Sequence, residues 1–174
     1  ELSEAPLQEW KSHTPRGTWD RATLPVGVLG RETTVHVYLP PDSPCSGEAQ
    51  RTGLLVGMDS FGFRSPLVPS DKIVDYLQEC RLIPSTIVVL TEDLASEESE
   101  DGYDDVVAYL ADEVLPFVQK QYGSPVEPDR VAISGMSRRG MIAAYAAWKR
   151  PDVFGNVISL SGSYYWRPSG MDEF

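Results

Sequence analysis

Gly135-Met136-Ser137-Arg138-Arg139-Gly140 is the stretch of this chain whose residue types and spacing best suit chemistry. A serine hydroxyl is inert along a regular strand or helix, but a tight turn between the two pushes it to the tip. There a base and a substrate carbonyl can both reach it. Ser137 follows a short apolar run, Val131-Ala132-Ile133, and precedes a helix-like segment, so it reads as a nucleophile. Gly135 leaves room for the turn, and the N–H of Arg138 would face a forming oxyanion near the start of the helix. Such turns follow the pattern G-x-S-x-G. Here arginine stands at 139 and the second glycine comes one residue late, at Gly140. The same residues also suit an ordinary strand-to-helix turn.

The elements that must position this turn alternate from residue 53 onward. Gly53 to Met58 (GLLVGM) and Thr86 to Leu90 (TIVVL) are continuous apolar runs, as in strands buried on both faces. Between Ser70 and Leu82, Ile73, Val74, Leu77 and Cys80 mark one helix face, with Ser70 as the expected N-cap. Asp104 to Gln121 carries Val106, Val107, Leu110, Val114, Leu115 and Val118 at helical spacing, and Pro116 is expected to bend or end that helix early. Val131 to Ile133 is the strand before the turn, Met141 to Lys149 an alanine-rich helix, and Val157 to Leu160 a further strand. Upstream, residues 23–29 are expected to form a first strand and Glu32 to Leu39 a second, with residues 1–22 as an N-terminal extension. The alternation is the signature of a parallel sheet covered on both faces. Ligands in such sheets bind beyond the carboxyl ends of the strands, where Asp59, Glu92, Ser137 and Ser161 fall.

Composition bounds what the turn belongs to. The chain has 174 residues, 41% apolar and 24% charged, which suits one globular domain. A net charge of −11 argues against nucleic acid or an anionic membrane surface as partner, since both select for basic patches. No apolar run approaches the length of a membrane span. The opening Glu1-Leu2-Ser3-Glu4-Ala5 lacks the basic and apolar regions of a signal peptide, which favours the cytoplasm; the absence of an initiator Met leaves an exported form open.

Other candidate groups read as structural. Between Glu92 and Glu113 the chain carries many acids and no lysine or arginine, but without the D-x-D-x-D-G spacing of a calcium loop. A solvated acidic loop is expected, its last acids favouring the N-terminus of the next helix. His36 inside a strand and His13 in an irregular stretch read as packed or hydrogen-bonded side chains. Cys45 in a loop and Cys80 on the apolar side of a helix are expected as free thiols, and no metal site is implied.

The segment from Gly135 to Trp166, GMSRRGMIAAYAAWKRPDVFGNVISLSGSYYW, resembles the putative-esterase branch of the α/β-hydrolases that contains enterochelin esterases, and more distantly the mycolyltransferases. The likeness extends upstream through DEVLPFVQKQYG, the strand ending Gly57-Met58-Asp59, and GRETTVHVYLPP, covering residues 18–166. It implies an α/β-hydrolase-type fold with a mostly parallel central sheet, whose N-terminal and central portion is residues 23–174. It also implies Ser137 as nucleophile and no cofactor. The family's second oxyanion donor is an N–H just after an Asp-Gly pair. Carried over, the pair is Asp59-Ser60, with serine in place of glycine, and the donor is Phe61. Tyr165 and Trp166 correspond to aromatics that face the substrate. Arg64, Arg138 and Arg139 are expected near the mouth of the site, suiting an anionic or catecholate ester, or pairing with the acidic loop.

The family's triad acid and histidine lie well after SGSYYW, and this chain has no histidine beyond His36. A serine without a base is barely nucleophilic. The expectation is that the last strands and helices, with the histidine, lie outside these 174 residues, on a continuation or a second polypeptide. Two other readings stand beside ester hydrolysis. One is acyl transfer on the same turn, and the other is a non-catalytic binding or scaffold protein.

Overall fold

The computed structural model describes residues 10–41, 53–66, 68–92, 94, 103–125 and 127–165. Six strands form one sheet: β1 (Thr18–Leu24), β2 (Thr33–Leu39), β3 (Gly53–Met58), β4 (Thr86–Thr91), β5 (Val131–Met136) and β6 (Asn156–Leu160). Their spatial order is β1-β2-β4-β3-β5-β6. From β4 through β3 and β5 to β6 every neighbour is parallel, as the alternating pattern predicts. The pairs β1–β2 and β2–β4 are antiparallel. Parallel neighbours need crossover connections, and helices supply them.

These are α1 (Ser60–Phe63), α2 (Ser70–Glu79), α3 (Tyr103–Ala108), α4 (Leu115–Tyr122) and α5 (Arg138–Lys149), with a π-helical stretch Tyr109–Val114 joining α3 to α4. The six positions from Val106 to Val118 that share a predicted face are all buried. They pack with Met141 and Ile142 of α5 against Val35, Val37, Val56, Val89 and Ile133 of the sheet. The opposite face carries a smaller cluster of Tyr38, Val74, Val88 and Leu90 beneath α2. Among the described residues no helix is long and apolar enough to cross a membrane.

Several boundaries differ from expectation, each for a physical reason. The first strand is Thr18–Leu24 and not residues 23–29. It is an edge strand in register with β2 from Thr18↔Leu39 to Leu24↔Thr33, and an edge tolerates the charges of Asp20 and Arg21. Val26 and Val28, which suggested the later strand, are exposed after Pro25. Ser70 is not the N-cap of α2. Pro69 holds that position and no side chain caps the helix. Cys80 lies past Glu79 at the C-cap and is exposed, not on the apolar side. Pro116 does not end its helix. The N–H of Leu115 reaches back five residues to the Leu110 carbonyl, so the wider turn precedes the proline, and Pro116 opens α4 where its missing N–H costs least. Asp104 and Asp105 sit in the first turn of α3 as expected. Residues 95–102 of the acidic run, and Cys45, lie outside the described residues.

Candidate active site

β5 delivers Ser137 to the carboxyl edge of the sheet, and α5 begins at the next residue. The turn between them is tight enough to force Ser137 to φ 58, ψ −123, a backbone conformation that non-glycine residues rarely hold. Its neighbours explain how that conformation persists. The Ser137 N–H donates to the Leu160 carbonyl at 2.9 Å, and the Ser137 carbonyl accepts from Gly140 and Ser163 N–H groups, each at 3.0 Å. Ser137 is exposed. A hydroxyl presented this way is open to a substrate carbonyl on one side and a base on another.

Both glycines of the motif have a steric task. A Cβ at Gly135 would run into the Arg139 carbonyl where the chain doubles back. At Gly140 a Cβ would press on Ser159 Oγ, the Gly135 carbonyl and Gly162 Cα at 3.0–3.1 Å. The late glycine therefore seats the first turn of α5 against the end of β5 and the loop after β6, and position 139 is left able to carry a long side chain.

Arg138 is the opening residue of α5, at the positive end of the helix dipole. β3 lies beside β5, and their register, Gly57↔Ser134, carried on by two residues, sets Asp59 level with Met136. Asp59 also has a positive φ, 92. Its carboxylate accepts the Gly62 N–H at 3.0 Å and the Arg139 guanidinium at 3.2 Å. Phe61 is the second residue of α1, two after Asp59. Ser161, past β6, has φ 50, and Glu92 follows β4 with its N–H on the Thr34 carbonyl. All four residues expected beyond strand ends are there.

The other arginine turns away. Arg64 donates to His36 Nδ1 at 2.9 Å and lies over the Trp19 ring at 4.8 Å, so its contacts are on the β1–β2 side. Among the described residues, the acid that faces Arg139 is Asp59. Arg150 pairs with the acidic run after Glu92, at Asp112. Tyr165 is 88% exposed just past β6, and Trp166 lies outside the described residues. The sequence did not single out Ser163, which is buried with its Oγ 3.2 Å from Ser137 Oγ. Its only signal was its place in the SGSYYW stretch.

Neither histidine is beside Ser137. His36 is paired with Leu90 on β4, and β2 stands three strands from β5, about 14 Å at about 4.8 Å per strand. His13 bonds Asp75 of α2 at 2.8 Å. Among the described residues no group of three or more His, Cys, Asp or Glu could hold a metal ion.

The family profile described as putative esterase matches residues 27–172. The chain belongs to the putative esterase family. Relatives similar to it include the iron(III) enterobactin esterase of Dickeya dadantii, 39% identical over 64 residues, and that of Escherichia coli K12, 40% identical over 61. Each match covers about a third of this chain (36% and 35%) and 15% of the relative. Among solved structures, the enterobactin esterase of Shigella flexneri superposes with a TM-score of 0.75 at 22% identity, over 92% of this chain and 40% of that one. A ferulic acid esterase of Anaeromyces mucronatus gives 0.72 at 15%, over 89% and 63%. The fold of this putative esterase is thus that of the α/β-hydrolases. The chain spans well under half the length of the enterobactin esterases it matches.

Proposed function

We propose that this chain carries the nucleophile and the oxyanion-binding part of a serine esterase. The observation that supports this above the others is the backbone of Ser137, held at φ 58 in an exposed turn directly before α5. Strain of this kind at a non-glycine residue costs about 1–3 kcal/mol and persists where the surroundings over-determine it. In the proposed reaction Ser137 Oγ attacks the ester carbonyl, and the N–H groups of Arg138 and Phe61 receive the oxyanion. The alcohol leaves, and water then releases the acid from the acyl-serine.

The base is a histidine, paired with an acid, from outside these 174 residues. Two facts support that assignment. Neither His13 nor His36 is placed to act on Ser137, and among the described residues β6 pairs with β5 alone. Further polypeptide, continuous or separate, would pair along β6 and bring the histidine over Ser137. The substrate is a small carboxylic ester, with a siderophore-type ester the first to try because the similar enterobactin esterases are named for one. Tyr165 is assigned to contact with it, and Trp166 by the resemblance alone; Arg64, held on His36 and Trp19, is not.

Labelling with a serine-directed fluorophosphonate tests the reading. The full-length protein is expected to label at Ser137, and Ser137→Ala to lose both label and about 10⁴-fold or more of turnover. No label on the parent would leave a non-catalytic scaffold. Acyl transfer uses the same turn, and competing alcohols in the product mixture would reveal it. Native mass above that of one 19.3 kDa chain, resolving on denaturation into this chain and another, would show a separate polypeptide.

A further inference from the structure

Arg139 occupies the position where the G-x-S-x-G pattern has glycine, and its guanidinium reaches across to the neighbouring strand's loop. It meets Asp59 Oδ2 at 3.2 Å, with the two side chains only 21% and 22% exposed. Asp59 is committed on its other side as well. Its Oδ1 accepts the Gly62 N–H, and its carbonyl accepts the Phe63 N–H at 3.2 Å, so the residue sets the start of α1. Arg139 is likewise built into the first turn of α5, which Gly140 presses against β5 and the loop after β6.

We propose that the Asp59–Arg139 ion pair is a strut that fixes the separation of the two backbone donors, Phe61 N–H and Arg138 N–H. The proposal rests on the esterase reading above. The donors lie on separate segments, one after β3 and one after β5. Each is close in sequence to one end of the strut: Arg138 precedes Arg139, and Phe61 follows Asp59 by two residues. An oxyanion needs both donors about 2.7–3.1 Å from one point, and misplacement by about 1 Å costs about 100-fold. Partial shielding from water makes this pair stronger than an exposed one. Arg139 and Asp59 are then positioning residues, and the shift of glycine to 140 is what leaves 139 available for the strut.

The alternative is that Arg139 acts through its charge on the oxyanion, and the two readings diverge at Asp59. A strut is broken from either end, whereas removing the opposing carboxylate would leave an electrostatic arginine more effective. In the full-length protein, turnover of p-nitrophenyl butyrate and affinity for a trifluoromethyl ketone, which forms an oxyanion adduct on serine, are measured together. Arg139→Met is expected to lower kcat about 30- to 100-fold with KM within about threefold, and to weaken the ketone by a similar factor. Asp59→Asn is expected to lower kcat about tenfold, the double variant to be no worse than Arg139→Met, and Arg139→Lys to recover part of the loss.

A folded Arg139→Met with kcat within about twofold of the parent, while Ser137→Ala is inactive, overturns the strut and leaves the esterase reading intact. So does an Asp59→Asn variant as active as the parent or more so, which also decides the matter should Arg139→Met not fold. A parent that neither turns over the ester nor labels at Ser137 ends the esterase reading and the strut with it.

Discussion

The two flanks of the sheet differ in how their groups are partnered. On the β1–β2 flank the Asp75 carboxylate, 1% exposed, accepts from the Tyr38 hydroxyl at 3.0 Å, the Arg16 N–H at 3.1 Å and His13 at 2.8 Å. The Tyr38 oxygen in turn accepts the Gly17 N–H at 2.9 Å, and Trp19 donates to Asp71 at 3.1 Å. Residues 13–19 are thus fastened across α2 by charge-assisted hydrogen bonds, and burial with Asp75 pushes the Tyr38 phenol well above its ordinary pKa. On the β6 flank the pattern inverts. Val157, Ile158 and Leu160 are 40%, 44% and 39% exposed, with Met136 at the end of β5 and Trp148 on α5 also exposed. One flank is closed by polar contacts from within the chain, and the other presents apolar strand surface. Ser137 lies toward the open flank, tied by its N–H to the Leu160 carbonyl of β6.

The largest effect that would break this comparison is expected at Asp75. Asp75→Ala leaves the Tyr38 hydroxyl, the Arg16 N–H and His13 without the buried carboxylate they share, and should cost about 3 kcal/mol in urea unfolding. Ile158→Ser on the open flank removes apolar surface that these 174 residues leave exposed, and in a sample without the polypeptide proposed to pair along β6 it should change stability by less than about 0.5 kcal/mol. If the two variants unfold at the same urea concentration, the flanks are not partnered differently. If Ile158→Ser proves the costlier, β6 is covered in the sample by protein beyond the described residues.

How legible these regions were in the sequence follows from what each depends on. The strands β3 and β4 were readable because they are buried on both faces and need only apolar residues. The turn at Ser137 was readable because Gly135 answers a clash with Arg139 four residues away, a local constraint. β1 was misplaced because an edge strand carries Asp20 and Arg21, and Val26 and Val28 nearby offered a stronger apolar signal for a segment that proves to be exposed loop. The Asp59–Arg139 pair, Ser163 beside Ser137, and Asp75 with His13 were not readable. Each depends on which distant segments the topology makes neighbours: β3 beside β5, the loop after β6 beside the turn, and α2 beneath residues 13–17.

The smallest predicted effect concerns pH and sharpens the account of the closed flank. A guanidinium has donors only, so the 2.9 Å contact from Arg64 requires His36 Nδ1 to accept, which puts the ring's proton on Nε2, facing Glu92 at 3.8 Å. Protonating the ring would set two donors against each other. Burial first, and then the Arg64 charge, hold the His36 pKa below its ordinary 6.5, with Glu92 opposing. The unfolded chain therefore binds this proton at a higher pH than the folded one. Stability from this group is intact above about pH 7.5, falls as pH drops through 6.5, and levels off below the folded pKa. His36→Gln removes the titration, so the urea midpoint of the parent minus that of His36→Gln should be flat above about pH 7.5 and decline below the ordinary histidine value. A difference independent of pH would mean that Arg64 is not held by a neutral imidazole.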